Sequence, residues 1–572
     1  MIKQFLTLLF IYLAIFPNSS PELEFTIAFK SKNTEWLKSA LEVVSNPNSS
    51  NYGKYYSKEW IKKVVSPSTL DIIPVFQWLN SNRITVISNN GDSLECKGRI
   101  NNIENLFNVS MKKYKHYRTE KLLYRSDRDY TIPKHLNNIV LFVEGISNKL
   151  IEKHSIYTYD NWSNDSPISD NNYAGKEIIY NLYNVTLPKS TMGSVSLASI
   201  EYQGNSGFNQ GDLSLSEFKN GAKNNTVKNI VGTDTGTDLE SQLDIQMMGI
   251  NAPNTTLWFW DDNNWLFSLA SKMVNTKNIP DIISMSWGWS ETDQCTITQC
   301  TNETAKQYID RVNVEYIKLG LRGVTITVSS GDAGAPGRTN EDCLDNSNTV
   351  HAVFPGSSPW ITSVGATFVV KSNKILNYTT PLCRENQCAN GKNEYVTNYN
   401  STGWTAGGGI SNFSIRSIVA KWQDKEVSKY LASEIPLPKN FNKKGRAYPD
   451  VSVIGHSCPV YNNGVLQALD GTSCSSPVFA SLVALLNQHQ LSHGKPKLGF
   501  INPILYQMNR DNPKIFNDGE KGSNWSTEWN VCPIRKDGGS DFGYKASKGY
   551  DPVYGLGTPN IGLMMEWLNN HT

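Results

Sequence analysis

The chain has 572 residues, enough to bury a large core, and reads as more than one domain. Its formal net charge of +2, with no long run of one sign, offers no basic face for nucleic acid or an anionic membrane surface. Nine cysteines are too few at this length for a disulfide scaffold, and the odd count leaves at least one outside any internal pair.

Met1-Ile2-Lys3-Gln4 and the apolar run from Phe5 to Phe16 have the shape of a secretory signal peptide, expected over residues 1–20. That run is too short to cross a bilayer and no other is long enough, so no membrane span is expected. Sequons are dense, among them Asn48, Asn108, Asn161, Asn164, Asn412 and Asn524, and predict a glycosylated protein of the secretory route.

Residues 21–152 read as an α+β unit. Leu23, Phe25, Ile27 and Phe29 alternate as in a strand, and Trp36, Leu37, Leu41 and Val44 fall at helical spacing behind a Thr34 N-cap. Helices follow from Ser57 and over Leu70–Leu79, the latter interrupted or kinked at Pro74, with strands at Arg83–Ser88 and Ile139–Glu144. The polar stretch from Tyr157 to Pro167, inside a linker of residues 153–175, is an exposed connector that a protease could cut. A cleavable joint would make the chain a zymogen, and a permanent linker fits the composition equally well.

From residue 176 to 572 short apolar runs alternate with helices. The runs are Val195–Glu201, Thr256–Trp260, Ile282–Trp287, Val324–Ser329 and Trp360–Val364; the helices include Leu239–Gly249, Phe267–Val274 and Thr304–Leu319. That alternation predicts a parallel sheet covered on both faces, with chemistry at the carboxyl ends of its strands. Cys295 with Cys300 and Cys383 with Cys388 could close small rings, while Cys474 is expected as a free, packed thiol. Zinc is not expected, for there is no CxxC pair and no HExxH helix.

Asp470-Gly471-Thr472-Ser473 runs into the apolar segment Val478–Leu486, with Pro477 in what reads as a first helical turn. Ser473 is thus placed at the mouth of a buried helix, whose free N–H groups suit a nucleophile and its oxyanion. No G-x-S-x-G elbow is present, and between Asp234 and Ser473 only His351 and His456 occur, neither before Gly-Thr. Glu240 and Asp244 lie four apart on a helix and share a face, so in a cleft they would share a proton and supply a base in acid. Such a pair alone is more often a solvated helix face.

The Glu240/Asp244 helix, Ser329-Ser330-Gly331-Asp332-Ala333-Gly334, and Asp470-Gly471-Thr472-Ser473 with Pro477 resemble, in that order, the three motifs of the sedolisin (serine-carboxyl peptidase) family. Phe354-Pro355-Gly356 and Gly407-Gly408-Gly409 match further segments, and Asn51-Tyr52-Gly53-Lys54 resembles part of the family's activation domain. The resemblance spans essentially the whole chain. It implies a subtilisin-like parallel α/β peptidase domain behind a ferredoxin-like activation domain, the latter serving as intramolecular inhibitor and chaperone. It also implies Ser473 as nucleophile, Glu240 as general base, Asp244 as its orienting partner and Asp332 as a protonated donor to the oxyanion. The implied activity is release of tripeptides from free N-termini in acid, in a lysosome-like compartment or after secretion, with an endopeptidase of the family and a silent glycoprotein as alternatives. One structural calcium is implied at the carboxylates of Asp518 and Asp551 and the carbonyls of Gly519, Ser547 and Gly549. The chain departs from the family pattern at Ser547, where Gly is usual, and at Asp470, where Ser is usual.

Overall fold

Apolar alternation builds the strand β1 (Glu22–Phe29), but five consecutive residues of it are buried, because both faces are covered. Phe25, Ile27 and Phe29 enter the N-terminal unit's own core, while Ala28 packs into a core of the C-terminal unit. The computed structural model describes residues 20–115, 122–149, 173–187, 195–337, 350–370, 393–398, 402–525 and 543–571, with gaps at 205, 223–224, 237, 299, 301–302 and 439. The predicted signal peptide, most of the linker, and Asn161, Asn164, Cys383 and Cys388 lie outside the described residues.

In the N-terminal unit α1 (Thr34–Ser45) starts at its expected cap, one residue early. Asn33, in the left-handed region at φ 55°, precedes it without a side-chain cap, and Thr34 is already helical. α2 (Lys58–Val65) is capped by Ser57, and α3 (Thr69–Ser81) by a Ser68–Asp71 capping box, with Pro74 inside it. β2 (Thr85–Asn89) follows as expected. Sequence reading passed over β3 (Ser93–Arg99), α4 (Ile100–Phe107) and the hairpin of β4 (Met111–Lys115) and β5 (Leu122–Ser126). With β6 (Val140–Glu144) the antiparallel order is β2-β3-β1-β6, which is the ferredoxin-like arrangement.

The C-terminal unit contains β7 (Val195–Tyr202), α5 (Gln210–Lys219), β8 (Val227–Val231), α6 (Leu239–Asn251), β9 (Thr255–Asp262), α7 (Leu266–Asn275) and β10 (Ile282–Met285). After them come α8 (Ala305–Leu321), β11 (Thr325–Ser329), β12 (Thr362–Val370), β13 (Asn393–Val396) and β14 (Val451–Ile454). The hairpin of β15 (Cys458–Asn462) and β16 (Val465–Leu469) leads into α9 (Thr472–Ser492). The eight-stranded sheet runs β13-β12-β11-β10-β7-β9-β8, with β14 also beside β12, and every pairing is parallel except β12 with β13. Alternate residues of β7 divide between two cores: Val195 and Leu197 face α6 and α9, and Ile200 and Tyr202 face α7 and α8. Helices therefore cover both faces, and among the described residues none is long and apolar enough to cross a membrane.

Two carboxylates fasten the units together. Glu144, at the end of β6, accepts from the N–H groups of Trp265 (2.8 Å) and Ser268 (3.1 Å) at the start of α7, and from the Tyr308 hydroxyl (3.0 Å). It caps a helix of the other unit, and burial lifts its pKa to about 7. Asp92 meets Lys318 at 2.7 Å and Arg311 at 3.1 Å on α8, all three buried.

Candidate active site

Every residue of the turn before α9 is pinned. Asp470 accepts from the Ser457 N–H (2.8 Å), the Trp404 indole N–H (3.1 Å) and His456 Nδ1 (2.6 Å). Gly471 donates to the Gly455 carbonyl at 2.9 Å and holds φ 139°, a backbone region that side chains rarely adopt. Thr472 donates its N–H and its hydroxyl to Asp332 Oδ1, each at 2.7 Å. Ser473 follows as the second residue of a helix buried along nearly its whole length. Pro477 is the sixth residue of α9, deeper than the predicted first turn, so it removes the N–H that would meet the Ser473 carbonyl four residues back. That carbonyl instead faces the Ser286 hydroxyl at 3.5 Å.

α6 lies against α9 and is buried on all sides, so its two carboxylates are not on a solvated face. The Asp238 side chain caps it through the Ser241 N–H. Asp244 accepts from the hydroxyls of Ser286 (2.9 Å) and Ser199 (3.4 Å). Burial, then the charges of Glu240 and Glu201, push its pKa well above the usual carboxylate range, outweighing those hydroxyls. Burial and then Glu201 likewise raise Glu240. Both Glu240 oxygens are buried without a hydrogen bond of ordinary length, yet the Ser473 hydroxyl stands near enough to ease ionisation. The structure thus brings Ser473, Glu240 and Asp244 together, with Asp332 on the far side of the Thr472 turn. A Cβ on Gly471 would make only ordinary van der Waals contact with Asp332 Oδ2, at 3.5 Å, so the backbone conformation and not lack of space calls for glycine there.

Sequence reasoning missed Glu201. It is the penultimate residue of β7, accepts from the Trp287 indole N–H (3.1 Å) and the Ser206 hydroxyl (3.0 Å), and stands behind Glu240. Its signal was a lone carboxylate near the carboxyl end of a buried strand. Of the two histidines weighed as bases, His456 is occupied by Asp470, and His351 sits in another segment, its N–H bonded to Ala335.

Cys295 and Cys300 are disulfide-bonded as expected. Cys474 is not a free thiol: it is bonded to Cys458, whose strand the β15–β16 hairpin returns to the start of α9. Asn524 is not an available sequon. It is fully buried, its amide N–H groups donate to the carbonyls of Gly408 and Pro552, and its oxygen accepts from Tyr544.

The five residues implied for calcium also converge. Asp518 accepts from the Gly549 N–H (2.6 Å), and Asp551 from those of Ser547 (2.7 Å), Val553 (3.0 Å) and Tyr554 (2.8 Å). Gly519 lies against the Tyr554 ring, leaving no room for a Cβ. Burial raises the pKa of both carboxylates, and Asp518 adds to the rise at Asp551. Two carboxylates close enough for the charge of one to raise the pKa of the other fit a hard cation.

The chain matches the pro-kumamolisin activation domain over residues 15–149 and the subtilase family over residues 241–497. It is 35% identical to physarolisin of Physarum polycephalum over 556 residues, covering 95% of this chain and 92% of that protein. The chain belongs to the sedolisin family. Tripeptidyl-peptidase 1 of Homo sapiens is 28% identical to this sedolisin over 578 residues, covering 96% of it and 92% of the human protein. The solved Pseudomonas sedolisin, a serine-carboxyl proteinase complexed with two molecules of pseudo-iodotyrostatin, shares the fold. It matches with a TM-score of 0.51 at 22% identity, over 70% of this chain and 98% of that one. A sedolisin with an activation domain is a serine peptidase made as a zymogen.

Proposed function

We propose that this sedolisin removes tripeptides from free N-termini in acid, with Ser473 as nucleophile, Glu240 as general base, Asp244 as its proton-sharing partner and Asp332 as oxyanion donor. The observation that carries the chemistry is the buried Glu240/Asp244 pair beside Ser473 at the open end of α9. Ser473 Oγ attacks the scissile carbonyl carbon as its proton passes to Glu240; the amine leaves with that proton, and water then repeats the sequence on the acyl-enzyme. A protonated Asp332 donates to the tetrahedral oxyanion, beside the first N–H groups of α9. Glu240 needs to be ionised and Asp332 protonated; acid favours the second, while the raised pKa of Glu240 limits how far the pH can fall before the base is lost. The tripeptide specificity rests on full-length similarity to the tripeptidyl-peptidase 1 proteins, and the compartment is lysosomal or extracellular. Asp518 and Asp551, with the carbonyls of Gly519, Ser547 and Gly549, would hold one calcium that links residues 518–519 to residues 547–551.

The test is to acidify purified precursor and read its new N-terminus together with its peptide products. Ser473→Ala and Glu240→Gln are expected to lower kcat by ~10⁴-fold or more while the protein stays folded. Tripeptides from unblocked peptides, with N-terminally blocked ones left intact, are the expected products. Equal cutting of blocked peptides would replace this reading by the endopeptidase one.

A further inference from the structure

The β15–β16 hairpin touches both helices of the proposed catalytic site. On one side it is joined to α9 by Cys458–Cys474, one residue beyond the nucleophile, and to the preceding turn by Ser457 and His456 on Asp470. On the other side Gln246 of α6 exchanges two hydrogen bonds with the Tyr461 backbone, at 2.7 and 2.8 Å. At the hairpin tip the N–H groups of Asn463 and Gly464 both donate to Asp212 of α5 at 2.8 Å, and Asp212 also accepts from Gln242 of α6. One small element therefore ties the helix carrying Ser473 to the helix carrying Glu240 and Asp244.

Asp470 is where that tie reaches the nucleophile turn. Its two oxygens receive three donors from two separate segments, Trp404 on one and His456 and Ser457 on the other, all buried. A single hydroxyl oxygen could not take all three, so this set of partners calls for a carboxylate. Losing the carboxylate would leave the Trp404, Ser457 and His456 donors buried without an acceptor, and would free the turn to move relative to α6.

We infer that Asp470 is a positioning residue for Ser473, acting through the 456–469 hairpin, and that the Cys458–Cys474 bond is the covalent half of the same clamp. The inference rests on Ser473 being the nucleophile. A displacement of about 1 Å would not unfold the protein, but it would move Ser473 relative to Glu240 and cost rate.

The test compares Asp470→Ala, His456→Leu, His456→Asn and the pair Cys458→Ala/Cys474→Ala, each processed by a trace of wild-type enzyme and assayed on an unblocked peptide. Asp470→Ala is expected to lower kcat roughly 10- to 100-fold with KM nearly unchanged, and to slow labelling of Ser473 by a serine-directed reagent by the same factor. His456→Leu and the cysteine pair are expected to act in the same sense but less. His456→Asn, whose side-chain N–H can replace Nδ1, is expected to recover most of the rate lost in His456→Leu. Unchanged kcat and labelling in folded variants, or a loss confined to KM, would overturn the inference. So would equal losses in the two His456 variants, which decide the matter if Asp470→Ala does not fold. An active Ser473→Ala would instead defeat the assignment of the nucleophile.

Discussion

After burial itself, the charge of Glu201 is the strongest influence keeping a proton on Glu240. Removing that charge makes Glu240 easier to ionise, so its basic form persists to lower pH. Glu201→Gln, which can still accept from Trp287 and Ser206, is expected to move the acid limb of the kcat/KM profile downward. The plateau should fall by less than about tenfold, the scale of one ordinary hydrogen bond. A pH–rate profile of the processed enzyme checks this, and an acid limb that stays in place counts against Glu240 as the base.

The two carboxylates at the seam respond to pH in opposite directions. Glu144 has a docked pKa of about 7 against an ordinary 4.5, so its contribution is complete below the ordinary value and is lost as pH rises through about 7. That swing is on the order of 3 kcal/mol. At Asp92 burial pushes upward, but Arg311 and Lys318 outweigh it and hold the pKa low, so its contribution is lost as pH falls. If the activation domain is released in acid, Asp92 promotes that release and Glu144 opposes it. Asp92→Asn is expected to loosen the domain at neutral pH and Glu144→Gln to hold it more firmly above pH ~7. Limited proteolysis of the precursor across pH reads both, and the reverse pair of results would reject the assignment.

Asn524 is expected to carry no glycan, although it heads an N-x-Ser sequon. Glycopeptide mapping of secreted protein decides this directly. Asn524→Ala leaves the Gly408 and Pro552 carbonyls and the Tyr544 N–H unmatched, and is expected to cost ~3 kcal/mol of stability, read as a lower thermal midpoint.

Chelation is expected to lower the thermal midpoint of the wild-type enzyme, since an ion held at 100 times its Kd contributes ~2.7 kcal/mol. Asp551→Ala should begin with the lower midpoint and show no further response to chelator. An equal response in both proteins would place the effect elsewhere.

Local spacing carried most of what could be read from the chain. Glu240 and Asp244 announce one helical face, and Ser473 before a long apolar run announces a buried helix entry. Glu201 was hidden because only the β7-to-α6 crossover brings it behind a residue 39 positions later. The Cys458–Cys474 pair could have been found. Asn463-Gly464 is a strong two-residue hairpin signal, and a hairpin centred there places Cys458 opposite Leu469, next to the Ser473 turn. Thr34 and Pro477 were each misplaced within a helix terminus, where one residue decides which backbone groups go unpaired. The burial of Asn524 depends on Gly408, 116 residues away, and on Pro552 and Tyr544, 28 and 20 away, and has no local signature.

Asn463 and Gly464 both hold positive φ, at 52° and 77°, and close the hairpin with only two residues between its strands. Such a hairpin forms from local contacts in microseconds, long before a parallel sheet can assemble from distant strands. Cys458 and Cys474 are 16 residues apart, so once the strands pair, oxidation needs only a short ring to close rather than a search through the chain. The most demanding geometry in the molecule thus begins from one of its quickest-forming pieces.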